Sequence, residues 1–565
     1  MRSAPWRFLT GLVALALLAA CGGGGGSSVN SEARLTIQAQ FEKRTLSAAG
    51  LSSATTLKPI RYCWAEVRDA NSKALLSSGY LGSDGTGATT VPRGLSVYVE
   101  IFAEYQVPSS DPNSFFLRGD VKNAPLPPAP GYITINDFNK LPLWSVTSAT
   151  FVADRDGTLG VTALASNRIA GAFNIADQAV TFAAAVRDMD GSATFRLPNL
   201  HTFWTTSTNA ADQARTFPEL TWSSATSYLQ SASGRALFSH GVLGRDDGAP
   251  NTGPDEWSDA LLRQTFARLL FADHSYQPDG TSTLSLLRRD NDNVSVSRTV
   301  PSESTAAFVA GFCDYLAAAS GNQSQILDYY YDGSGRSTVD VFDLSDTGSL
   351  PTSQGEFTRA NIASSLWGIW KQSLGGASSG LGTMWAAVRS TMALNGGIGE
   401  YEQATLGCYP SYLLGLLNRS TPTVWTSILG QLSQASIPNP DPIATSYFNT
   451  DALWVTRAIP LNASGSLQTY AASAHIYYDR NQSQAYRFTH GGGNRTITMN
   501  PTSGQDFYLE LLGPGGWVAG DTSSSRMGQT RTLSLANLPA GVYAARVRAG
   551  ATTATGLNSY TITVN

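Results

Sequence analysis

Apolar and polar residues alternate in short runs over the first third of the chain. Leu35-Thr36-Ile37-Gln38-Ala39-Gln40, Cys63-Trp64-Ala65-Glu66-Val67-Arg68 and Leu95-Ser96-Val97-Tyr98-Val99-Glu100-Ile101 each place every second side chain on one face, the period of a half-buried strand. Asp84-Gly85-Thr86-Gly87 and Pro92-Arg93-Gly94 supply turns between them. The period then changes. Gly171 to Phe182 opens a helical region, with strand-like patches at Leu220-Thr221-Trp222 and Ala236-Leu237-Phe238. Apolar positions next recur at helical spacing: Leu261, Leu262, Phe266, Leu269 and Leu270; Ala307, Phe308, Phe312 and Tyr315; Ile362, Leu366, Trp367 and Trp370. From about Thr469 alternation returns, in six runs from Ala485-Tyr486-Arg487-Phe488 to Tyr560-Thr561-Ile562-Thr563-Val564. Gly513-Pro514-Gly515-Gly516 and Leu538-Pro539-Ala540-Gly541 fall between them as turns.

This pattern predicts a multidomain chain: an N-terminal β-sandwich over 34–146, a central α+β, mainly helical domain over 147–445, and a C-terminal β-sandwich over 446–565. The stiff Pro125–Pro130 stretch falls near the end of the first. The order of strand, Asp-Gly turn, Val-Pro-x-Gly and strand in that first part resembles transthyretin-like modules of carboxypeptidase regulatory regions.

The first twenty residues carry Arg2 and Arg7, then an apolar run from Leu9 to Ala20, the layout of an export signal. The run is too short for a comfortable membrane span. Leu18-Ala19-Ala20-Cys21 resembles the lipobox of bacterial lipoproteins, which implies cleavage after residue 20 and acylation of Cys21. Residues 21–33, beginning Cys21-Gly22 and rich in glycine and serine, read as a flexible tether. Glycine rather than aspartate after the cysteine implies the outer membrane or cell surface, with a periplasm-facing placement also open. The membrane is therefore one expected partner, through the lipid. Without residues 1–20 the chain has 36 Lys+Arg against 42 Asp+Glu and no basic stripe, which excludes a nucleic-acid partner. Cys313 and Cys408 lie in the same middle region and can form a disulfide, leaving Cys63; three buried, reduced cysteines are the equal alternative.

Zinc hydrolysis of peptides needs two histidines four apart on one helix, a glutamate beside the first, and a third ligand from elsewhere. His201, His240, His274, His475 and His490 contain no such pair. The surroundings nevertheless resemble secreted zinc peptidases of the gluzincin type, which carry a run such as D-E-[FY]-D-D-x-V-I-x-H-E-[YF]-G-H. Here the run is Asp255-Glu256-Trp257-Ser258-Asp259-Ala260-Leu261-Leu262-Arg263-Gln264-Thr265-Phe266-Ala267-Arg268. Gln264 and Arg268 stand at the histidine positions and Thr265 at that of the base. Ala307-Phe308-Val309-Ala310-Gly311-Phe312 matches A-F-S-E-G-F, with Ala310 in place of the third ligand. Gly355 to Trp367 resembles a further helix of the same proteins. The last 90 residues, with Asp506-Phe507-Tyr508-Leu509, Leu538-Pro539-Ala540-Gly541-Val542-Tyr543 and Ser559-Tyr560-Thr561-Ile562, resemble bacterial pre-peptidase C-terminal domains.

The resemblance implies a zincin-like domain stripped of its metal ligands and base. An ordinary amphipathic core helix over Leu261–Phe271 gives the same spacing. Both readings exclude zinc hydrolysis, and no catalytic residue, metal or other cofactor is expected. The permanent cation of Arg268 would oppose Zn²⁺. The expected function is therefore that of a surface-anchored pseudoenzyme which binds a peptide or protein without cleaving it. A hydrolase using unrelated residues and a structural or adhesive envelope protein are the alternatives.

Other motifs add little. Gly376-Ala377-Ser378-Ser379-Gly380 has the spelling of a nucleophile elbow, but no strand precedes it. Asp154–Gly157, Asp188–Gly191 and Asp290–Asn293 resemble calcium-loop openings without the remaining ligands. The carboxylate pairs Asp246/Asp247 and Asp255/Glu256 serve a glycosidase only if held across a cleft. Tyr329-Tyr330-Tyr331 reads equally as a binding surface or a packed strand.

Overall fold

The computed structural model describes residues 31–109, 114–124, 140–190, 197, 199–204, 216–217, 236–239, 254–274, 298–299, 304–331, 336–352, 355–393, 409–437, 459–460, 465–469, 483–501, 506–513, 516–521, 528–549 and 556–565. The expected lipidation site, Cys21, and most of the tether lie outside them, as do Cys408, Asp246/Asp247, Asp290–Asn293 and the Leu220–Trp222 patch. The chain is multidomain and rich in β-sheet.

Strand β1 (Glu32–Ser47) buries Leu35, Ile37, Ala39 and Phe41 and exposes the residues between them. Burying each of the larger side chains contributes roughly 2–3 kcal/mol, and a one-residue slip would turn the whole set outward. It pairs antiparallel with β2 (Gly50–Pro59). In the second sheet β3 (Cys63–Asp69) pairs with β4 (Leu75–Tyr80). Strand β5 (Thr86–Pro92) returns to β1, and β6 (Ser96–Pro108) lies between β3 and β7 (Phe115–Lys122). The predicted turns are where the chain reverses, with Gly85 at φ 74° and Gly94 at φ 86°. At Gly85 a side chain is excluded twice, since a Cβ would lie 2.5 Å from the Ala39 carbonyl oxygen.

Pairing runs on past residue 146. Short strands β8 (Ser145–Thr147) and β9 (Phe151–Val152) add to β6, and β10 (Gly157–Ala163) lies parallel to β1. Helix α1 (Ile169–Val186) then crosses the sheets. It is long and apolar enough to pass for a membrane span by composition, but it is buried almost all round in the protein core. Strands β11 (Asn199–Phe203), β12 (Thr216–Phe217) and β13 (Ala236–Ser239) extend the β7 edge.

The helices follow as α2 (Asp259–His274), α3 (Ser304–Gly321), α4 (Arg359–Gly368), α5 (Ser378–Ala393), α6 (Tyr409–Leu417) and α7 (Pro422–Gln434). A hairpin of β14 (Gln325–Tyr331) and β15 (Ser337–Asp343) sits between α3 and α4. The Tyr329–Tyr331 run is thus strand. One continuous hydrophobic core runs from Ala33 to Ile437, so the first sheets and the helices share a single interior.

The C-terminal strands form two sheets. One is β16 (Ile459–Pro460), β18 (Ser483–His490), β23 (Gly541–Ala549), β20 (Phe507–Gly513) and β21 (Gly516–Asp521) in that order. The other is β17 (Gly465–Thr469), β24 (Gly556–Val564), β19 (Gly493–Pro501) and β22 (Arg531–Leu538). Their inner faces close a second, separate core around Tyr486, Ile497, Leu509, Val547 and Tyr560, the expected sandwich.

Candidate functional site

Helix α3 is nearly all apolar, and its one acidic residue is Asp314. At zero exposure this carboxylate must find partners or cost several kcal/mol. It finds three donors. Gln264 of α2 donates its carboxamide N–H to Asp314 Oδ1. Arg359, the first residue of α4, donates Nε to Asp314 Oδ2 at 2.6 Å and Nη2 to Oδ1 at 2.8 Å, a forked pair. Burial disfavours the Arg359 charge, but Asp314 outweighs it and holds the guanidinium above its ordinary pKa. The three side chains are buried and tie three helices together. Close approach of α3 to α4 requires Gly311, where a Cβ would meet Ile362 at 2.8 Å and the Arg359 carbonyl at 3.0 Å.

The positions expected to derive from a metal site fall around this lock. Gln264 is in it, and Ala310 lies one turn before Asp314 on α3, 6% exposed. Thr265 spends its hydroxyl on the Leu261 carbonyl, 3.2 Å away within its own helix. Arg268 continues α2 one turn beyond Gln264; only its backbone is among the described residues. Cys313, beside Asp314, is buried, and its suggested partner Cys408 is outside the described residues. Zinc does not fit the group: Gln264 is engaged as a donor, Ala310 has no ligand atom, and a guanidinium stands against the carboxylate. Sequence reasoning missed Asp314 and Arg359. The signal was present, since a lone acid in an apolar helix implies a buried partner.

The neighbouring Arg263 is buried as well. It caps the end of α3 by donating Nε to the Ala317 carbonyl at 3.0 Å, and donates Nη1 to Gln178 of α1 at 2.6 Å. Burial lowers its pKa, with Asp259 opposing.

A second buried polar group lies in the β-sheet. His201 Nδ1 is 3.1 Å from Asp120 Oδ2, and Lys122 Nζ is 3.2 Å from the same oxygen. Burial pushes the Asp120 carboxyl up, but its interactions with His201 and Lys122 together overcome that and hold it at about 2. A His–Asp pair can orient a general base, yet His201 is 2% exposed and closed to substrate. The elbow-like Gly376–Gly380 follows a π-helical turn over Ile369–Ser373 and leads into α5. No strand feeds it, so it lacks the geometry of a nucleophile. Asp190 of the second calcium-like sequence accepts from Trp385 Nε1 at 3.1 Å, and Asp156 of the first accepts from the Arg34 backbone N–H at 2.9 Å. Both are structural turn residues. Among the described residues, no three His, Cys, Asp or Glu side chains are placed to hold a metal ion.

No protein-family model matches the chain, and no curated protein does. Among solved structures, the chain is similar to the pre-peptidase C-terminal domain of a collagenase from Bacillus anthracis, at 14% identity and a TM-score of 0.14. That match covers 19% of this chain and 92% of the domain. A second similarity is to a cycloisomaltooligosaccharide glucanotransferase from Paenibacillus sp., crystallised with cycloisomaltoheptaose. Here the identity is 8% and the TM-score 0.12, over 93% of this chain and 72% of that one.

Proposed function

We propose that this chain is an exported lipoprotein, acylated at Cys21 and held at the outer membrane or cell surface, whose central region is a zinc-peptidase scaffold turned into a non-catalytic binding body. On this reading the C-terminal sandwich is an accessory module of the pre-peptidase type. The observation that supports the non-catalytic part of this reading is the Gln264–Asp314–Arg359 lock. Metal-binding histidines are commonly oriented by a carboxylate behind them. Asp314, one turn past the third-ligand position, stands in that relation to Gln264 at the first-ligand position. On this reading Asp314 corresponds to such an orienting carboxylate, the ligands are gone, and Arg359 supplies the positive charge.

Burial of Gln264 and Ala310 leaves no open groove at these positions and favours the alternative of a structural or adhesive envelope protein; on the binding reading a peptide is held elsewhere on the surface. To test the reading, the purified protein is incubated with a mixed peptide library and zinc, then analysed by mass spectrometry. The expected result is intact peptides, a subset of them co-eluting with the protein. Defined cleavage products would refute the proposal.

A further inference from the structure

We propose that the open cavity between the β1–β2 ribbon, α1 and the start of α2 binds a short extended peptide segment carrying one free carboxylate. This deepens the non-catalytic binding reading and rests on it. The cavity is about 590 Å³, within the range of small-ligand sites. Two of its cations are fixed in place. Lys43 Nζ is held by Asp259 at 2.5 Å and by Asn174 at 3.1 Å. Arg61 is held by the Asp177 carboxylate at 2.6 Å and the Thr181 hydroxyl at 2.7 Å. A wall already ordered in this way loses little entropy when a ligand arrives.

The third cation, Lys58, is exposed on the cavity wall and has no carboxylate partner among the described residues. Three cations against two carboxylates leave the wall one positive charge in excess. That balance suits a single carboxylate, whereas a dianion such as phosphate would face both Asp177 and Asp259. The same carboxylates, with Gln323 and Gln325, offer acceptors for peptide N–H groups. What favours a peptide over a sugar acid is the strand leading to the site. Among the described strands β2 ends its sheet, and it is exposed from Ser53 to Lys58. An edge of this kind presents backbone N–H and C=O groups to which an extended chain can add. Leu46, Pro59 and Leu327 give an apolar wall for a side chain.

The test titrates the full chain with N-acetylated tripeptides of mixed composition, bearing either a free C-terminal carboxylate or an amide. It is repeated with the Lys58→Glu variant, which alters an exposed side chain and whose folding is checked by circular dichroism. The proposal expects carboxylate peptides to bind, the amides to bind about tenfold more weakly, and Lys58→Glu to remove that preference. No binding, equal binding of acid and amide, or a preference that survives in Lys58→Glu would overturn the site. Binding without the preference leaves the non-catalytic reading standing, whereas cleaved tripeptides would overturn that reading itself.

Discussion

Replacing Asp314 with alanine should destabilise the body that contains residues 33–437 by about 3–5 kcal/mol, because it removes the carboxylate from a buried ion pair. Arg359 loses its 2.6 Å and 2.8 Å bonds to Asp314 and keeps a guanidinium whose side chain is 10% exposed. Its position makes matters worse. It begins α4, where the helix dipole already disfavours a cation, so Asp314 compensates for that as well. Gln264 loses its acceptor at the same time. A loss of this size is a large part of the 5–15 kcal/mol that ordinary domains possess. It should appear in thermal unfolding as a lowered helical transition, and the first β-sheets should melt with the helices because they share one core. Replacing all three side chains together, as Gln264→Leu, Asp314→Leu and Arg359→Met, should recover much of the stability, since an apolar cluster of similar volume is often as stable as a buried ion network.

The second large effect belongs to the C-terminal sandwich. Arg531 is fully buried, with Nη2 3.0 Å from Asp506 Oδ1 and Nη1 3.0 Å from Asp521 Oδ1. Asp506 is itself 2% exposed. Arg531→Met keeps the volume but removes the cation from the buried Asp506–Arg531 pair, again at a cost of about 3–5 kcal/mol. The core around Tyr486 and Tyr560 is separate from the first, so this variant should lower a β-sheet transition while the helical one stays where it was. Calorimetry of the two variants side by side checks both. Asp314→Ala moves one transition, Arg531→Met moves the other, and a single shared shift would contradict the two-core description.

Much of the strand content was legible from alternation, since each inward set, such as Leu35, Ile37 and Phe41, repeats with period two. The helices at Leu261, Ala307 and Ile362 were legible from their 3.6-residue spacing. What could not be read was non-local. Nothing near Gly157–Ala163 says that it will lie parallel to β1, more than a hundred residues earlier, or that this closure merges the first sheets with the helical core. The site was half legible. Gln264, Thr265, Arg268 and Ala310 stood out by register, whereas Arg359 acquires its meaning only when α4 packs on α3. The cavity was invisible for the same reason: Lys43 and Asp259 are 216 positions apart in sequence.

Elemental analysis of the purified protein for zinc, followed by a calorimetric zinc titration, tests the proposed replacement of a metal site by the Gln264–Asp314–Arg359 lock. No stoichiometric zinc and no heat of saturable binding are expected, with the same outcome for Ala310→Glu, because Gln264 remains engaged by Asp314 and the Arg359 guanidinium stands against the same carboxylate. One tightly bound zinc per chain in the unaltered protein, lost on mutation of Gln264 or Asp314, would contradict it.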